Sequence, residues 1–179
     1  MVLKELLDNA LDAAEAAGRP PVIDLTIQHD ADDIRLTVAD SGNGIPPAVV
    51  EKILDFRTRT SDKAAYRSPT RGAQGNALKT VIGIPIALGA PQSVLVIEAQ
   101  GIRHQISAWV DPAGTVRIDH HTAPAPSGSG QAAGTRLTVT LPMPPWLRVD
   151  PQRWLRGYAL FNPHALVKIR EVGSESKQR

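Results

Sequence analysis

A chain of 179 residues with 42% hydrophobic and 21% charged side chains has the make-up of one globular domain with a proper core. Its 20 Lys and Arg against 18 Asp and Glu leave a formal charge of only +2, so the overall balance demands neither nucleic acid nor an acidic membrane as partner. The lack of cysteine excludes disulfides, thiolate zinc sites and cysteine nucleophiles, and no apolar run approaches the roughly 20 residues of a membrane helix.

The N-terminus reads as an amphipathic, acidic helix from Val2 to Ala17, stopped by Gly18 with Pro20-Pro21 beyond. It is unlike a signal peptide, so a reducing cytoplasm is the expected location. Leu3, Leu7, Ala10, Leu11 and Ala14 fall on one core-facing stripe, while Glu5, Asn9 and Asp12 gather on the opposite side. An acid, an amide and a second acid so close together could hold a hydrated cation and polarise a water, or could be a solvated surface. Ile23, Leu25 and Ile27, then Ile34, Leu36 and Val38, alternate with polar residues as two strands of an antiparallel hairpin, with a turn at 30–33. The second strand runs into Asp40-Ser41-Gly42-Asn43-Gly44-Ile45-Pro46. Two glycines flanking an Asn at a strand end imply positive φ angles and a backbone that a ligand can approach closely. Pro46-Pro47 opens a helix over about 47–55.

Residues 57–75 carry Arg57, Arg59, Lys63, Arg67 and Arg71 among Thr, Ser, Pro and Gly, with little periodicity. So long a loop in a compact domain is most often functional. It closes on Arg71-Gly72-Ala73-Gln74-Gly75 and enters a helix over 76–87, with Lys79 in its first turn. Glycine-rich backbone at a helix N-terminus beside a Lys suits a phosphate, although the P-loop spacing is absent. Strands follow at 93–99, 103–110 and 115–121, then a small-residue loop over 123–133. Gly134-Thr135 opens a strand in which Leu137, Val139 and Leu141 alternate with Arg136, Thr138 and Thr140, ended by the prolines of 142–145. A short helix over 151–158 and a strand over 165–172 complete one domain, 1–172, and the polar tail 173–179 is expected to fray. His120-His121 lacks acidic or histidine partners at metal spacing and reads as a surface strand end; Trp109, Trp146 and Trp154 read as core or edge packing.

The order of these features, an acid/amide helix, a strand ending in Asp-x-Gly-x-Gly, a basic loop closing on Gly-x-x-Gly, and Gly-Thr opening a late strand, resembles the GHKL ATPase superfamily. That is the Bergerat-fold ATP-binding domain of type II topoisomerases, Hsp90, MutL and histidine kinases. Glu5-x-x-Asp8-Asn9-x-x-Asp12-Ala13 is similar to its N-box, Asp40 to Ile45 to its first glycine box, Gly72 to Gly75 to its second, and Gly134-Thr135 to its last. Lys4 to Ala13, Arg71 to Gly75, and Asn162-Pro163-His164-Ala165 are most similar to the B subunit of topoisomerase VI and its relatives. The resemblance implies an α/β (α+β) two-layer sandwich, with helices on one face of a mixed, mostly antiparallel sheet. It implies that Glu5 is the general base for attack on the γ-phosphate and that Asn9 ligates Mg²⁺, while Asp12 props the site from behind. Asp40 would accept from the adenine amine with Thr135 supporting it, and Gly42, Gly44 and Ile45 would let backbone pass close to the base. Arg71, Gly72, Gln74 and Gly75 would wrap the phosphates under a mobile 57–71 lid, and Lys79 either touches phosphate or is an exposed helix lysine.

Gly75-Asn76-Ala77-Leu78-Lys79 is nearer to the wording of MutL than to the Gly-x-Gly of many relatives. The chain opens at the N-box helix and ends before any transducer, so slow hydrolysis alone, or a piece of something longer, is expected. The function implied is Mg²⁺-dependent ATP binding and hydrolysis that drives a DNA transaction, with a topoisomerase VI A-like subunit and DNA as partners, ATP-dependent homodimerisation, and no membrane. The alternatives are a non-hydrolysing nucleotide-binding regulatory module and a histidine-kinase-like phosphotransfer domain.

Overall fold

The computed structural model describes residues 2–54, 77–126, 134–143 and 150–173. In chain order the elements are α1 (Val2–Ala16), β1 (Val22–His29), β2 (Asp33–Ala39), α2 (Pro47–Leu54), α3 (Ala77–Ala87), β3 (Ser93–Ala99), β4 (Ile102–Val110), β5 (Val116–Pro124), β6 (Thr135–Pro142), α4 (Pro151–Phe161) and β7 (Leu166–Gly173). The strands form one seven-stranded sheet in the order β5-β4-β3-β6-β2-β1-β7. Every neighbouring pair is antiparallel except β1 and β7, which run parallel. This is the α/β architecture expected from the sequence.

Alternation along the strands decides which face the helices cover. Ile23, Leu25 and Ile27 of β1, Leu95 and Ile97 of β3, and Leu137 and Val139 of β6 are all buried. Their neighbours Asp24, Val94 and Thr138 are exposed or half-buried on the other face. On the open face the hydroxyls of Thr37 and Thr138 meet at 3.0 Å across β2 and β6. Helix α1 lies against β1 and β2 and also against α3, which covers β3, β4 and β6. Leu6, Leu7 and Leu11 of α1 lose all exposure, each contributing about 1.5–3 kcal/mol of apolar burial.

Three details depart from the pattern read along the chain. The buried arc of α1 includes Val2 and Leu6, whereas Leu3 is only half-buried, because α3 flanks α1 and turns the covered stripe toward itself. Strand β5 continues to Pro124, since its pairing with β4 runs on to Ile102 opposite Pro124. Helix α4 continues past Tyr158 to Phe161; Asp150 caps its start by accepting from the Arg153 N–H at 2.9 Å, and Asn162 caps its end.

The crossover that matters is β6. It enters between β3 and β2, pairing Arg136 with Ala39 and Thr135 with Ala99. The start of β6 is thereby brought to the same end of the sheet as Asp40, although 95 residues separate Asp40 from Thr135.

Candidate functional site

Asp40 follows the last residue of β2, and its N–H continues the ladder by donating to the Thr135 carbonyl at 2.9 Å. Its side chain is buried, and Oδ1 accepts from the Gly42 N–H at 2.7 Å and from the Thr135 N–H at 3.1 Å. Burial pushes the carboxyl above its ordinary range, and hydrogen bonds from the Gly42 and Thr135 main chain and from the Thr135 side chain pull back against that rise. The Thr135 hydroxyl, itself buried, also accepts from the Ile45 N–H at 3.2 Å.

The glycines around Asp40 are required by contact. Gly134 has φ +103°, and a Cβ there would run into the main-chain oxygen of Asp40. Gly44, at φ +80°, faces the Gly134 carbonyl, 3.0 Å from where a Cβ would lie. Gly42 abuts α1: a Cβ there would fall 2.8 Å from the Cβ of Ala13. The end of β2, the start of β6 and α1 at Ala13 therefore form one braced unit. Arg19, just past α1, tightens it by donating to the carbonyls of Ser41 and Gly42 at 3.1 and 3.2 Å.

On the front of α1, Glu5, Asn9 and Asp12 are half-buried, so they line an enclosed face and not open solvent. Asn9 Nδ2 is buried without a hydrogen-bond partner among the described residues. Leaving such a group unmade costs about 1–3 kcal/mol, which makes this amide a point where a ligand would be welcome. Oxygen and nitrogen of an amide are assigned from their surroundings, so the unpartnered atom can be the oxygen. One amide oxygen suits magnesium, a hard cation that keeps waters and takes its other ligands from substrate phosphates. Among the described residues no group of three or more His, Asp or Glu could hold a metal by itself.

Lys79 lies in the first turn of α3, the helix beside α1, and is half-buried where the sequence reading leans toward an exposed lysine. Arg71, Gly72, Gln74, Gly75 and the 57–71 lid lie outside the described residues. Among the remaining conspicuous residues, His120 does have a partner. Its Nε2 is 3.0 Å from Nδ1 of buried His104 on β4, while His121 pairs with Asp119 at 2.8 Å. Trp109 is half-buried and Trp154 is exposed, whereas Trp146 lies outside the described residues.

Several contributors are not apparent along the sequence. Gln100, at φ 50°, turns the β3–β4 hairpin and leans on the glycine box, with its amide 3.4 Å from the Asn43 carbonyl. Gln-Gly between two alternating strands is a tight-turn signal, but it does not say where the turn lands. Asp8 and Tyr158 are joined at 2.7 Å between α1 and α4.

The family described as "Histidine kinase-, DNA gyrase B-, and HSP90-like ATPase" matches residues 1–145. The B subunit of type 2 DNA topoisomerase 6 from Halobacterium salinarum is 28% identical over 190 residues, spanning 98% of this chain and 22% of that protein. The protein of the same name from Thermococcus kodakarensis is 27% identical over 180 residues, spanning 95% of this chain and 30% of its own length. The chain thus spans under a third of the length of these curated relatives. In structure, the ATPase region of Saccharomyces cerevisiae topoisomerase II aligns over 99% of this chain and 48% of its own, with a TM-score of 0.60 and 16% identity, a likeness of fold.

Proposed function

The chain belongs to the histidine kinase-, DNA gyrase B- and HSP90-like ATPases, and from that membership we propose that residues 1–172 form one domain that binds and hydrolyses ATP with Mg²⁺. The observation that carries this reading is the braced carboxylate of Asp40, backed by Gly134-Thr135 and joined through Gly42 to a helix whose Asn9 amide is buried and unmatched.

The adenine fits at Asp40. A buried carboxylate accepts from an exocyclic amine, whereas the carbonyl of guanine would meet it acceptor to acceptor. Gly42, Gly44 and Gly134 allow the main chain around Asp40 to pack this closely on itself and on Ala13, which holds the carboxylate where the base would meet it. The Thr135 hydroxyl stands beside Asp40 to steady that contact, and Ile45 closes the strand end through its N–H. Asn9 would hold the cation through its amide oxygen. The bound magnesium offsets phosphate charge. Glu5, one helical turn before Asn9, orients a water and takes its proton as it attacks the γ-phosphate. Asp12 supports this face from behind. Arg71, Gly72, Gln74, Gly75 and Lys79 are assigned to the phosphates, with the basic 57–71 segment as the covering lid.

The curated relatives carry the name of a DNA topoisomerase. The proposed biological role is accordingly an ATP-driven conformational change within a cytoplasmic, topoisomerase VI B-like protein, with DNA and an A-like subunit as partners and ATP-dependent pairing of two copies. No helix among the described residues is long and apolar enough to cross a membrane.

Glu5→Ala tests the chemical half of the proposal. Turnover should fall by about a hundredfold or more, while ATP affinity stays within a few-fold of wild type, because a general base acts chiefly in the transition state. Equal turnover by the variant contradicts the role of Glu5. A wild type that binds ATP yet never turns it over with partners present identifies a nucleotide-binding regulatory module.

A further inference from the structure

We propose that Tyr158 is a positioning residue for the Glu5/Asn9 face, acting through Asp8. This deepens the ATP reading and rests on it.

Helix α1 is fixed to the base end of the site at Ala13, where Gly42 abuts it. That joint is one turn beyond Asn9 and two beyond Glu5, and toward the N-terminus the inner side of the helix is held by buried Val2, Leu6 and Leu7. On its outer side the grip comes from α4. The Tyr158 hydroxyl donates to Asp8 Oδ1 at 2.7 Å, and the second carboxylate oxygen of Asp8 takes the ammonium of Lys4. A hydroxyl bonded to an ionised carboxylate is about twice as strong as a neutral pair. Seven residues further along, on the same stripe of α1, Glu15 meets His164 of the segment after α4 at 3.1 Å. The inner turns of α4 and the chain that follows it therefore hold α1 along one line.

Tyr158 is suited to hold a direction. Its ring packs against the hydrophobic core and stacks on Trp154 at 5.2 Å between centroids, which restricts the path of the hydroxyl. Asp8 immediately precedes Asn9, so a bond that fixes Asp8 fixes the angle at which Asn9 leaves the helix, about 100° further round. Loss of that bond would loosen the outer side of α1 at Asp8 while Leu6 and Leu7 stay buried, letting Asn9 and Glu5 shift slightly out of line with the phosphates. The adenine end would not feel it, because Asp40, Gly42 and Thr135 are held by β2, β6 and the Ala13 joint. The 150 residues between Asp8 and Tyr158 hide this coupling from the helix sequence.

The test uses Tyr158→Phe in the full chain, with ATP affinity measured by calorimetry in Mg²⁺ and again in EDTA, and phosphate release followed in parallel. The expected result is a loss of about tenfold in the gain that Mg²⁺ gives to ATP affinity, with a similar fall in kcat, as for one charge-assisted hydrogen bond. Affinity in EDTA should stay within about twofold, since the adenine contacts are untouched. Asp8→Asn keeps an acceptor for the Tyr158 hydroxyl but gives up the charge and the Lys4 ion pair, so it should lose part of the same Mg²⁺ gain, less than Tyr158→Phe. Tyr158→Phe with an unchanged Mg²⁺ gain and unchanged kcat overturns the inference while leaving the ATP reading intact. So does a parallel loss of affinity with and without Mg²⁺, which marks a merely structural role. A wild type that binds no ATP overturns the underlying reading and this inference with it.

Discussion

Asp40 and His104 are both buried polar side chains, 7% and 1% exposed, yet they are satisfied in different ways. Asp40 accepts from the Gly42 and Thr135 main-chain N–H groups and is also bonded by the Thr135 side chain, inside a turn whose glycines admit no side chain. His104 stacks on the ring of His120 at a centroid distance of 5.2 Å and meets its Nε2 through Nδ1 at 3.0 Å, while its own Nε2 has no hydrogen-bond partner among the described residues. The first arrangement prepares a charge for a ligand donor. In the second, burial favours the neutral form of His104.

Breaking the backbone brace should produce the largest effect. Gly134→Ala would set a methyl group against the Asp40 carbonyl at a φ of +103°. We expect a loss of about 3 kcal/mol or more of unfolding free energy, and of ATP binding with it. Chemical denaturation checks this, and a variant as stable as wild type would show that the turn adapts and the brace is not needed.

Acid separates the two sites further, because their shifts have opposite signs. Burial first, then the positive field of His120, lower the pKa of His104 from 6.5, with Glu51 opposing. Its stability contribution is therefore complete above about pH 6.5 and lost as pH falls below that value toward the depressed folded pKa. His104→Leu should flatten this part of the pH-stability curve in urea titrations, and an unchanged slope would assign the acid sensitivity elsewhere. For Asp40 the folded pKa is raised, so its contribution is complete below about 3.8 and lost as pH rises through the raised value. ATP affinity should move the other way and weaken on acidification within that window, since a protonated carboxyl is a poorer acceptor.

The smallest effect is expected at Arg19, whose exposed side chain only ties the Ser41 and Gly42 carbonyls. Arg19→Ala should cost about 0.5–1 kcal/mol and change ATP affinity by less than about threefold. A larger loss would mean that the joint between α1 and the glycine box depends on this outer tie more than on the Gly42–Ala13 contact.

The same contrast explains what could be read along the chain. Glu5, Asn9 and Asp12 share a face by helical period alone, and Asp40 announces itself through Gly42 and Gly44 beside it. Strand boundaries followed from alternation, and β3 was expected over 93–99, where it is found. The meeting of Thr135 with Asp40 needed the wording of a known family, because 95 residues intervene. Pairings set by sheet register or helix docking left no local trace: His104 with His120, whose separation of 16 residues follows from the β4–β5 register, and Tyr158 with Asp8. The half-burial of the Glu5/Asn9/Asp12 face was likewise unreadable, since it depends on how α3 lies beside α1.

Calorimetry of the full chain with ATP and with GTP in Mg²⁺, on wild type and on Asp40→Asn, tests the central claim most directly. In the variant the amide oxygen can retain the Gly42 and Thr135 N–H groups, so the fold should persist, but its NH₂ would face the adenine amine donor to donor. The account predicts ATP binding by the wild type, at least about a hundredfold weaker binding of GTP, and a similar loss of ATP affinity in the variant. Equal affinity for ATP and GTP, or undiminished ATP binding by Asp40→Asn, would contradict it.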